Sequence, residues 1–267
     1  MAAITHEKGA QVPAIKVYAD KYSDHVVVIT GAASGIGKVT AHLFAEQGAD
    51  VVLFDIDEEN LKAVQASIHK QGGKAEIQVC DVSDDQVVNQ AIDATMKAFL
   101  KIDVLINLAG IAVFCPLEHQ TTKDYQRVIS TNLDGSFFLT RAVLPHMQKA
   151  GYGRIIHTSS STTGNPPFGL APYVASKAGI IGLVRASAVE AGPGITVNAL
   201  LPGLTDFTKV AEHEQVSALF DYVLSSQAIK RKGHPLDMAH ALSFIASPEA
   251  AFFTGQAFEC SGGESFR

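Results

Sequence analysis

The strongest constraint on the fold is a regular alternation of short apolar segments with helical segments along most of the chain. The apolar segments are rich in β-branched residues and are apolar at every position rather than at alternate positions. Strands of that kind lie in parallel sheets whose two faces are both covered by helices. We therefore predict an α/β fold built on a doubly wound parallel sheet of about seven strands. Ligands of such sheets bind beyond the carboxyl ends of the strands.

The predicted elements form one domain behind a short extension. We assign the polar residues 1–24 to an N-terminal extension and residues 25–267 to the domain. The predicted strands are 26–29, 51–54, 76–80, 104–106, 154–158, 195–200 and 257–260. The predicted helices follow the first strand to residue 47 and the second to about residue 71, then cover 84–100, 122–149, 172–191 and 236–246. Pro145 should kink the helix over 122–149, because proline lacks the N–H that an interior helical position donates.

Composition and charge argue against several classes of function. The 21 Lys and Arg against 27 Asp and Glu give a net charge of −6, which does not favour nucleic acid. Neither a membrane-spanning apolar stretch of about 18 residues nor a signal-peptide core is present. The three cysteines and ten histidines show no metal-binding spacing, and His157 is expected to be a hydrogen-bonded core residue. We expect a cytoplasmic protein that binds neither nucleic acid, membrane nor metal.

A glycine-rich turn, residues 31–37, stands directly between the first predicted strand and the first helix. Glycines let the backbone turn tightly and approach a phosphate closely. The helix N-terminus that follows offers unpaired N–H groups and a partial positive charge. This turn predicts a dinucleotide-binding site, and its predicted cofactor contacts are Gly31, Ser34, Gly35, Ile36 and Gly37.

An acidic residue, Asp55, ends the second predicted strand, 18 residues after Gly37. A carboxylate at this place can accept hydrogen bonds from both hydroxyls of an adenosine ribose and would repel a 2′-phosphate. The next two residues, Ile56 and Asp57, provide no compensating cation. Asp55 could merely begin a helix, but its position favours NAD over NADP.

A tyrosine and a lysine four residues apart, Tyr173 and Lys177, open the helix that follows the fifth predicted strand. Residues at this spacing lie on one face of a helix, so the ammonium can approach the phenol. A nearby cation favours the phenolate and lowers the pKa of a phenol from its ordinary value of about 10. With Lys177 lowering its pKa, Tyr173 could deliver or remove the proton of a carbonyl/alcohol couple, although a pair at this spacing is by itself common on helix surfaces.

Together these motifs resemble those of the classical short-chain dehydrogenase/reductase family, from about residue 25 to the C-terminus. The turn that begins at Thr30 and Gly31 resembles the cofactor motif of that family, and residues 107–110 its Asn-Asn-Ala-Gly element. Asn132 resembles the helix asparagine whose carbonyl holds a proton-relay water. Ser160 lies thirteen residues before Tyr173, which is the usual spacing of the catalytic serine.

This resemblance implies a Rossmann-type fold with helices on both faces, an oxidoreductase activity and a set of residue roles. Tyr173 would be the general acid/base, Ser160 would bind the substrate oxygen, and Asn132 would support the proton relay. Lys177 would also bind the nicotinamide ribose, and Asp81 would bind the adenine amino group. The other cofactor contacts implied are Ile56, Val82, Asn107, Ala109, Gly110, Pro202, Gly203 and Thr205.

Two assignments stay open at this stage. Ser159 and Ser161 flank Ser160, so the identity of the catalytic serine depends on spacing alone. Either Thr205 or Thr208 can take the nicotinamide contact, because the position where the family often has threonine is Phe207 here.

Two further positions affect the cofactor side. Leu108 replaces one asparagine of the family's turn and puts the hydrogen bonds of that turn in doubt. Asp81 can instead cap the following helix, a role that Ser83 or Asp84 would fill equally well.

The substrate side should be bordered by residues 111–117, 161–171 and 204–232. In the last segment, apolar residues follow a helical spacing, so this segment either forms an apolar lid or packs against the core: Val216, Leu219, Phe220 and Val223. Phe168, Ser160 and Tyr173 are the predicted substrate contacts. If the apolar side chains face the site, the substrate has an apolar or aromatic body.

We therefore expect an NAD-dependent oxidoreductase that interconverts a secondary alcohol and a ketone by hydride transfer. A dihydrodiol or sugar dehydrogenase of the same family would differ in the polarity of the lid. A non-catalytic dinucleotide-binding regulator would lack at least one proton-handling residue. The resemblance also implies a homotetramer, or a homodimer, built through the helices near 122–149 and 172–191.

Overall fold

The computed structural model describes residues 18–206 and 223–266. Its seven strands form one parallel sheet in the order β3-β2-β1-β4-β5-β6-β7. The strands are β1 (Val26–Thr30), β2 (Asp50–Asp55), β3 (Lys74–Val79), β4 (Val104–Asn107), β5 (Gly153–Thr158), β6 (Ile195–Pro202) and β7 (Ala257–Cys260). The predicted doubly wound parallel sheet is thus confirmed. Its strand order reverses direction between β1 and β4, where sheets of this type bind ligands.

The helices described lie on both faces of the sheet. They are α1 (Gly35–Glu46), α2 (Glu58–Lys70), α3 (Asp85–Phe99), α4 (Thr122–Ile129), α5 (Gly135–Ala150), α6 (Ala171–Glu190) and α7 (Pro235–Ile245). Within the ranges described, no helix is long and apolar enough to cross a membrane. Most of the predicted lid, including Val216, Leu219 and Phe220, lies outside the described residues.

The strands are apolar throughout because each one feeds two separate cores. In β1, Val27 and Ile29 point into a core formed with α1, α2 and α7. Val26 and Val28 point to the opposite face, into a core formed with α3, α5 and α6. Successive side chains of a strand alternate between faces, so a sheet covered on both faces needs apolar residues at consecutive positions.

The helix predicted over 122–149 is interrupted, and the interruption is not at Pro145. It consists of α4, a wider π-helical turn over Ser130–Asp134, and α5, which continues through Pro145. In the π-helical turn, Gly135 N donates to Ser130 O, five residues earlier. Single π-helical turns of this kind are frequent at functional sites. Here the turn contains the fully buried Asn132.

Residues 18–24, which the sequence analysis assigns to the N-terminal extension, pack onto the domain, and the boundary after residue 24 stays a prediction. Tyr22 is fully buried, and its ring lies 4.6 Å from that of Phe44, centroid to centroid. The Tyr22 hydroxyl donates to the Ser243 carbonyl in α7, which also accepts from Lys21 Nζ at 3.0 Å. An aromatic ring removed from water in this way belongs to the core, whatever the polarity of its neighbours in the sequence.

Tyr22→Ala should lower the free energy of unfolding by about 3–5 kcal/mol, because it leaves a cavity between α1 and α7. Denaturant titration followed by circular dichroism measures the loss. Phe252→Ala, which removes a fully exposed ring, is the matched control and should change stability by less than about 0.5 kcal/mol. Equal effects of the two substitutions would contradict a core position for Tyr22.

Candidate active site

A cavity of about 1100 Å³ opens at the carboxyl ends of the strands, on both sides of the point between β1 and β4 where the strand order reverses. Apart from Asn107 and Asn132, every residue predicted for the site lines it. These residues are Gly31, Ser34, Gly35, Ile36, Gly37, Asp55, Ile56, Asp81, Val82, Ala109, Gly110, Ser160, Phe168, Tyr173, Lys177, Pro202, Gly203 and Thr205. No group of three or more His, Cys, Asp or Glu in the described ranges is arranged to hold a metal.

The glycine-rich turn has the shape that a phosphate group requires. Gly31 and Gly35 have φ of +66° and +52°, a region that other residues rarely adopt. A Cβ on Gly37 would stand 2.0 Å from the Gly31 carbonyl oxygen, so the start of α1 can approach the turn only with glycine there. The Ser34 side chain makes no capping hydrogen bond to the first turn of α1. This helix N-terminus and its turn therefore fit the phosphates of a dinucleotide.

Asp55 is held rigidly beside the glycine-rich turn. Its Oδ2 accepts from Ala33 N at 3.1 Å, and its Oδ1 accepts from Asp57 N at 3.1 Å. The next side chain, Ile56, is exposed and lines the cavity. The carboxylate thus stands at a fixed place with no cation next to it in the sequence.

Asp81 does not cap a helix. Asp84 caps α3, its Oδ1 accepting from Gln86 N at 2.9 Å and from Val87 N at 3.2 Å. Asp81 Oδ1 accepts from the backbone N and the hydroxyl of Ser83 at 2.9 Å and 2.7 Å. Its carboxylate therefore lines the cavity in a defined orientation, and its predicted contact with adenine stays a prediction.

Asn107 does not line the cavity, and its predicted contact with the cofactor stays a prediction. It is buried below the cavity wall, and its Oδ1 accepts from Thr30 Oγ1 at 2.5 Å. Thr30 Oγ1 in turn accepts from the backbone N of Leu108 and of Ala109, each at 3.1 Å. Asn107 thus positions the loop that forms the wall. Leu108 takes part in these hydrogen bonds although it is not an asparagine, because the donor is its backbone N–H and not its side chain.

His157 is the hydrogen-bonded core residue that the sequence predicted. Thr140 donates its hydroxyl proton to the Ser136 carbonyl at 2.8 Å, so its oxygen accepts from His157 Nε2–H at 2.7 Å. His157 Nδ1 therefore accepts from Asn107 Nδ2, at 3.3 Å. Burial lowers the pKa of His157 to about 3, with the charge of Lys177 acting in the same direction. The imidazole is neutral, and its tautomer is set by this network.

Acid should destabilise the protein through His157. The unfolded chain takes up a proton at this residue below a pH of about 6.5, whereas the folded protein resists until about pH 3. Stability is therefore lost as pH falls across that window, by up to about 1.4 kcal/mol per pH unit. His157→Gln should show a shallower loss in urea titrations between pH 6.5 and 4.5. His119→Gln, at an exposed histidine, should keep the wild-type slope, and identical slopes in all three proteins would contradict this account.

The structure distinguishes the three neighbouring serines. Ser160 is hydrogen-bonded to the side chain of Tyr173, which stands in the first turn of α6. The Ser159 hydroxyl instead donates to the Lys177 carbonyl at 2.8 Å. Ser161 is directed to the C-terminal segment. Of the three, Ser160 is thus the serine in contact with the tyrosine, as its spacing predicted.

Lys177 is buried at the cavity wall, 4% exposed, and its Nζ lies 5.6 Å from the centroid of the Tyr173 ring. Nζ donates to the Thr158 carbonyl at 2.7 Å. Burial lowers the pKa of Lys177 to about 8.

The prediction that Lys177 lowers the pKa of Tyr173 stays a prediction. Burial raises the pKa of Tyr173 above its ordinary value, because removal from water disfavours the charged phenolate, and the hydrogen bond from Ser160 opposes the rise in part.

Asn132 lies behind the cavity wall and joins three elements. Its Oδ1 accepts from Ile111 N at 2.8 Å, and its Nδ2 donates to the Ile111 carbonyl and to Ser176 Oγ, each at 3.0 Å. Its own carbonyl accepts from Ser136 Oγ at 2.7 Å. Asn132 therefore connects the loop after β4 to α6 one residue before Lys177. Its role in a proton relay stays a prediction.

The far end of the cavity is formed by the chain after β6. A Cβ on Gly203 would stand 2.7 Å from Ser261 Cα, so glycine permits the close approach of the two segments. Thr205 is buried, and its hydroxyl donates to the Gly203 carbonyl at 3.0 Å. Thr205 lines the cavity, whereas Thr208 lies outside the described residues.

Sequence reasoning missed Glu264, which lines the cavity from the C-terminal segment. Gly262 and Gly263, with φ of +66° and +77°, turn the chain back over the site after β7. Sequence reasoning made no use of this glycine pair. Two consecutive glycines after a last strand are nevertheless the signal for such a turn.

Comparisons with known proteins place this cavity in a family. A family model described as enoyl-(acyl carrier protein) reductase matches residues 31–265. A solved structure of a short-chain dehydrogenase/reductase, a glucose/ribitol dehydrogenase from Brucella melitensis, superimposes with a TM-score of 0.86 at 30% identity, covering 92% of this chain and 99% of that chain. The chain belongs to the short-chain dehydrogenase/reductase family.

Relatives of this short-chain dehydrogenase/reductase act on different substrates. The (2S)-[(R)-hydroxy(phenyl)methyl]succinyl-CoA dehydrogenase subunit BbsD of Thauera aromatica is 37% identical over 246 residues, 91% of this chain and 97% of that protein. The 3-oxoacyl-[acyl-carrier-protein] reductase FabG of Thermotoga maritima is 39% identical over 241 residues, 89% of this chain and 96% of that protein. Family membership therefore establishes an oxidoreductase fold with a nicotinamide dinucleotide site and leaves the substrate to the residues of the cavity.

Proposed function

We propose that this protein is an NAD-dependent oxidoreductase that interconverts a secondary alcohol and a ketone. The observation that carries the proposal is the hydrogen-bonded pair of Ser160 and Tyr173 at the cavity wall, one helical turn from Lys177. When bound, the nicotinamide supplies or accepts a hydride. The protein then has to orient the substrate oxygen and move one proton, and this pair can do both.

Tyr173 would handle that proton. Because burial raises its pKa, the phenol keeps its proton at neutral pH and can donate it to a carbonyl oxygen that Ser160 orients. In the direction of alcohol oxidation, the phenolate form of Tyr173 would be needed to accept the proton of the alcohol. Lys177, fixed by the Thr158 carbonyl, would bind the nicotinamide ribose. The presence of Asn132, Ser160, Tyr173 and Lys177 together argues against a non-catalytic regulator.

Tyr173→Phe should lower kcat by about 10²–10⁴-fold while leaving NADH binding nearly unchanged, because only the proton-transferring hydroxyl is removed. Turnover is measured by NADH absorbance over a panel of secondary alcohols, and NADH binding by calorimetry. Tyr125→Phe, at a half-exposed tyrosine of α4 that does not line the cavity, is the control. Turnover undiminished in Tyr173→Phe would refute the assigned chemistry.

The preference for NAD is supported by Asp55. Its carboxylate is fixed by Ala33 N and Asp57 N beside the glycine-rich turn. There it can accept hydrogen bonds from ribose hydroxyls, whereas the 2′-phosphate of NADP would meet a like charge.

Asp55→Ala should lower the ratio of kcat/KM for NAD to that for NADP by at least about tenfold, because a charge-assisted hydrogen bond and a repulsion are lost together. Initial rates with each cofactor give the ratio. Asp93→Ala, at an exposed aspartate of α3, removes the same charge far from the turn and should leave the ratio unchanged. If the two variants gave the same ratio, the assignment of Asp55 would fail.

An apolar or aromatic substrate body is supported by the lining of the cavity. Apolar side chains from all three predicted segments line it: Ile111, Phe114, Pro166, Pro167, Phe168, Leu170, Leu204 and Val223. The name of the Thauera aromatica relative describes a secondary alcohol that bears a phenyl group. A dihydrodiol or sugar dehydrogenase remains the second candidate. Of these two, the polar residues of the same cavity favour the dihydrodiol dehydrogenase.

We also propose assembly as a homotetramer or homodimer through α5 and α6. Support comes from the outer face of α6, where Ala175, Ala178 and Gly182 are exposed and would allow a second helix to approach closely. Gly179, by contrast, faces Leu133 within the same chain, where a Cβ would stand 2.9 Å from the leucine side chain. The small residues of this helix therefore divide between internal packing and an open face.

A further inference from the structure

One carboxylate of the cavity, that of Glu264, forms no salt bridge with any residue that the structure describes. Glu264 is half-buried, and its Oε2 accepts from Ser161 Oγ at 3.4 Å. Burial raises the pKa of Glu264, and the nearby charge of Glu259 acts in the same direction. An acidic side chain in a largely apolar cavity is costly to keep, so its most direct use is to accept hydrogen bonds from a ligand.

A second polar group beside it has no partner. The Thr162 hydroxyl oxygen is buried, lines the same cavity as Glu264, and finds no hydrogen bond within the described part of the chain. Buried hydroxyls are nearly always paired, so a group that binds in the cavity would complete this one.

These polar groups lie close to the reacting end of the cavity. Ser161 and Thr162 directly follow Ser160, which contacts Tyr173. Ser161 in turn contacts Glu264. Ser161, Thr162 and Glu264 therefore line the same cavity as Ser160 and Tyr173.

We propose that Ser161, Thr162 and Glu264 form a subsite for a second, neutral hydroxyl group of the substrate. The inference rests on the proposed function and narrows it to diols with an apolar body. A carboxylate accepts hydrogen bonds from hydroxyl groups and repels a substrate carboxylate. The apolar residues of the cavity would hold the carbon skeleton while the subsite holds the second hydroxyl.

Three compounds that share one skeleton test this subsite: cyclohexanol, cis-cyclohexane-1,2-diol and cis-2-hydroxycyclohexane-1-carboxylate. With NAD, the wild-type kcat/KM should be highest for the diol and lowest for the carboxylate. Glu264→Gln should lower the ratio of diol to cyclohexanol by about tenfold, because a charge-assisted hydrogen bond becomes a neutral one. The same substitution should raise the ratio of carboxylate to cyclohexanol, an effect that a merely structural role of Glu264 would not produce.

Glu59→Gln, at an exposed glutamate of α2, removes the same charge away from the cavity and should keep both wild-type ratios. If Glu264→Gln fails to fold, Thr162→Val and Ser161→Ala should lower the diol ratio in its place. Wild-type ratios in all the subsite variants would overturn the proposal, as would a stronger preference for 2-aminocyclohexanol than for the diol.

Binding separates this proposal from the proposed function. If wild-type protein oxidises cyclohexanol and the diol equally and no variant changes that, the subsite is refuted while the secondary-alcohol chemistry stands. If wild-type protein turns over none of the compounds, calorimetry with the NADH complex compares the binding constants of the same compounds without turnover. If the diol then binds no better than cyclohexanol, the subsite is refuted. The secondary-alcohol chemistry is tested separately, by comparing turnover of the wild-type protein and Tyr173→Phe.

Discussion

The hydrogen bond between Thr30 and Asn107 connects β1 and β4, the two parallel strands between which the strand order of the sheet reverses. These residues are register partners at the carboxyl ends of β1 and β4. The hydroxyl oxygen of Thr30 also accepts a hydrogen bond from the backbone of the loop that lines the cavity. Asn107 is hydrogen-bonded to His157 below that loop. Because these groups are buried, each must be satisfied, and the network admits one arrangement. The rigid wall beside the glycine-rich turn follows from that requirement.

Burial, more than charge, sets the proton chemistry of the site. It raises the pKa of Tyr173 and lowers that of Lys177 to about 8. Both shifts favour the uncharged form, as expected where water is removed from an ionisable group. A neutral phenol beside an ammonium group of lowered pKa is suited to deliver a proton to a carbonyl oxygen. In the proposed chemistry, this pair would therefore act through position and desolvation, with Ser160 as the group in direct contact with the tyrosine.

Sequence patterns predicted what depends on local chemistry. The glycine-rich turn, Asp55 and the Tyr173–Lys177 spacing each lie in the cavity as expected, because strand order and helical periodicity are enough to place them. Other features depend on residues that are distant in the sequence. The burial of Tyr22 depends on α7, more than 200 residues away, and the interruption of the long helix depends on buried contacts of Asn132. The direction of the Tyr173 shift depends on how much water the folded chain excludes.

The two halves of the cavity are built in different ways. The half around the glycine-rich turn is built on backbone geometry and on buried polar bonds, which leave few residues able to replace it. The other half is built on side chains from segments that follow β5, β6 and β7, and these touch the sheet only at their starts. Glu264 belongs to this half, since Gly262 and Gly263 bring it back over the cavity. In the proposed subsite, the carboxylate of Glu264 would favour a neutral hydroxyl group over an anionic group of the substrate, without any change in the residues that handle the proton.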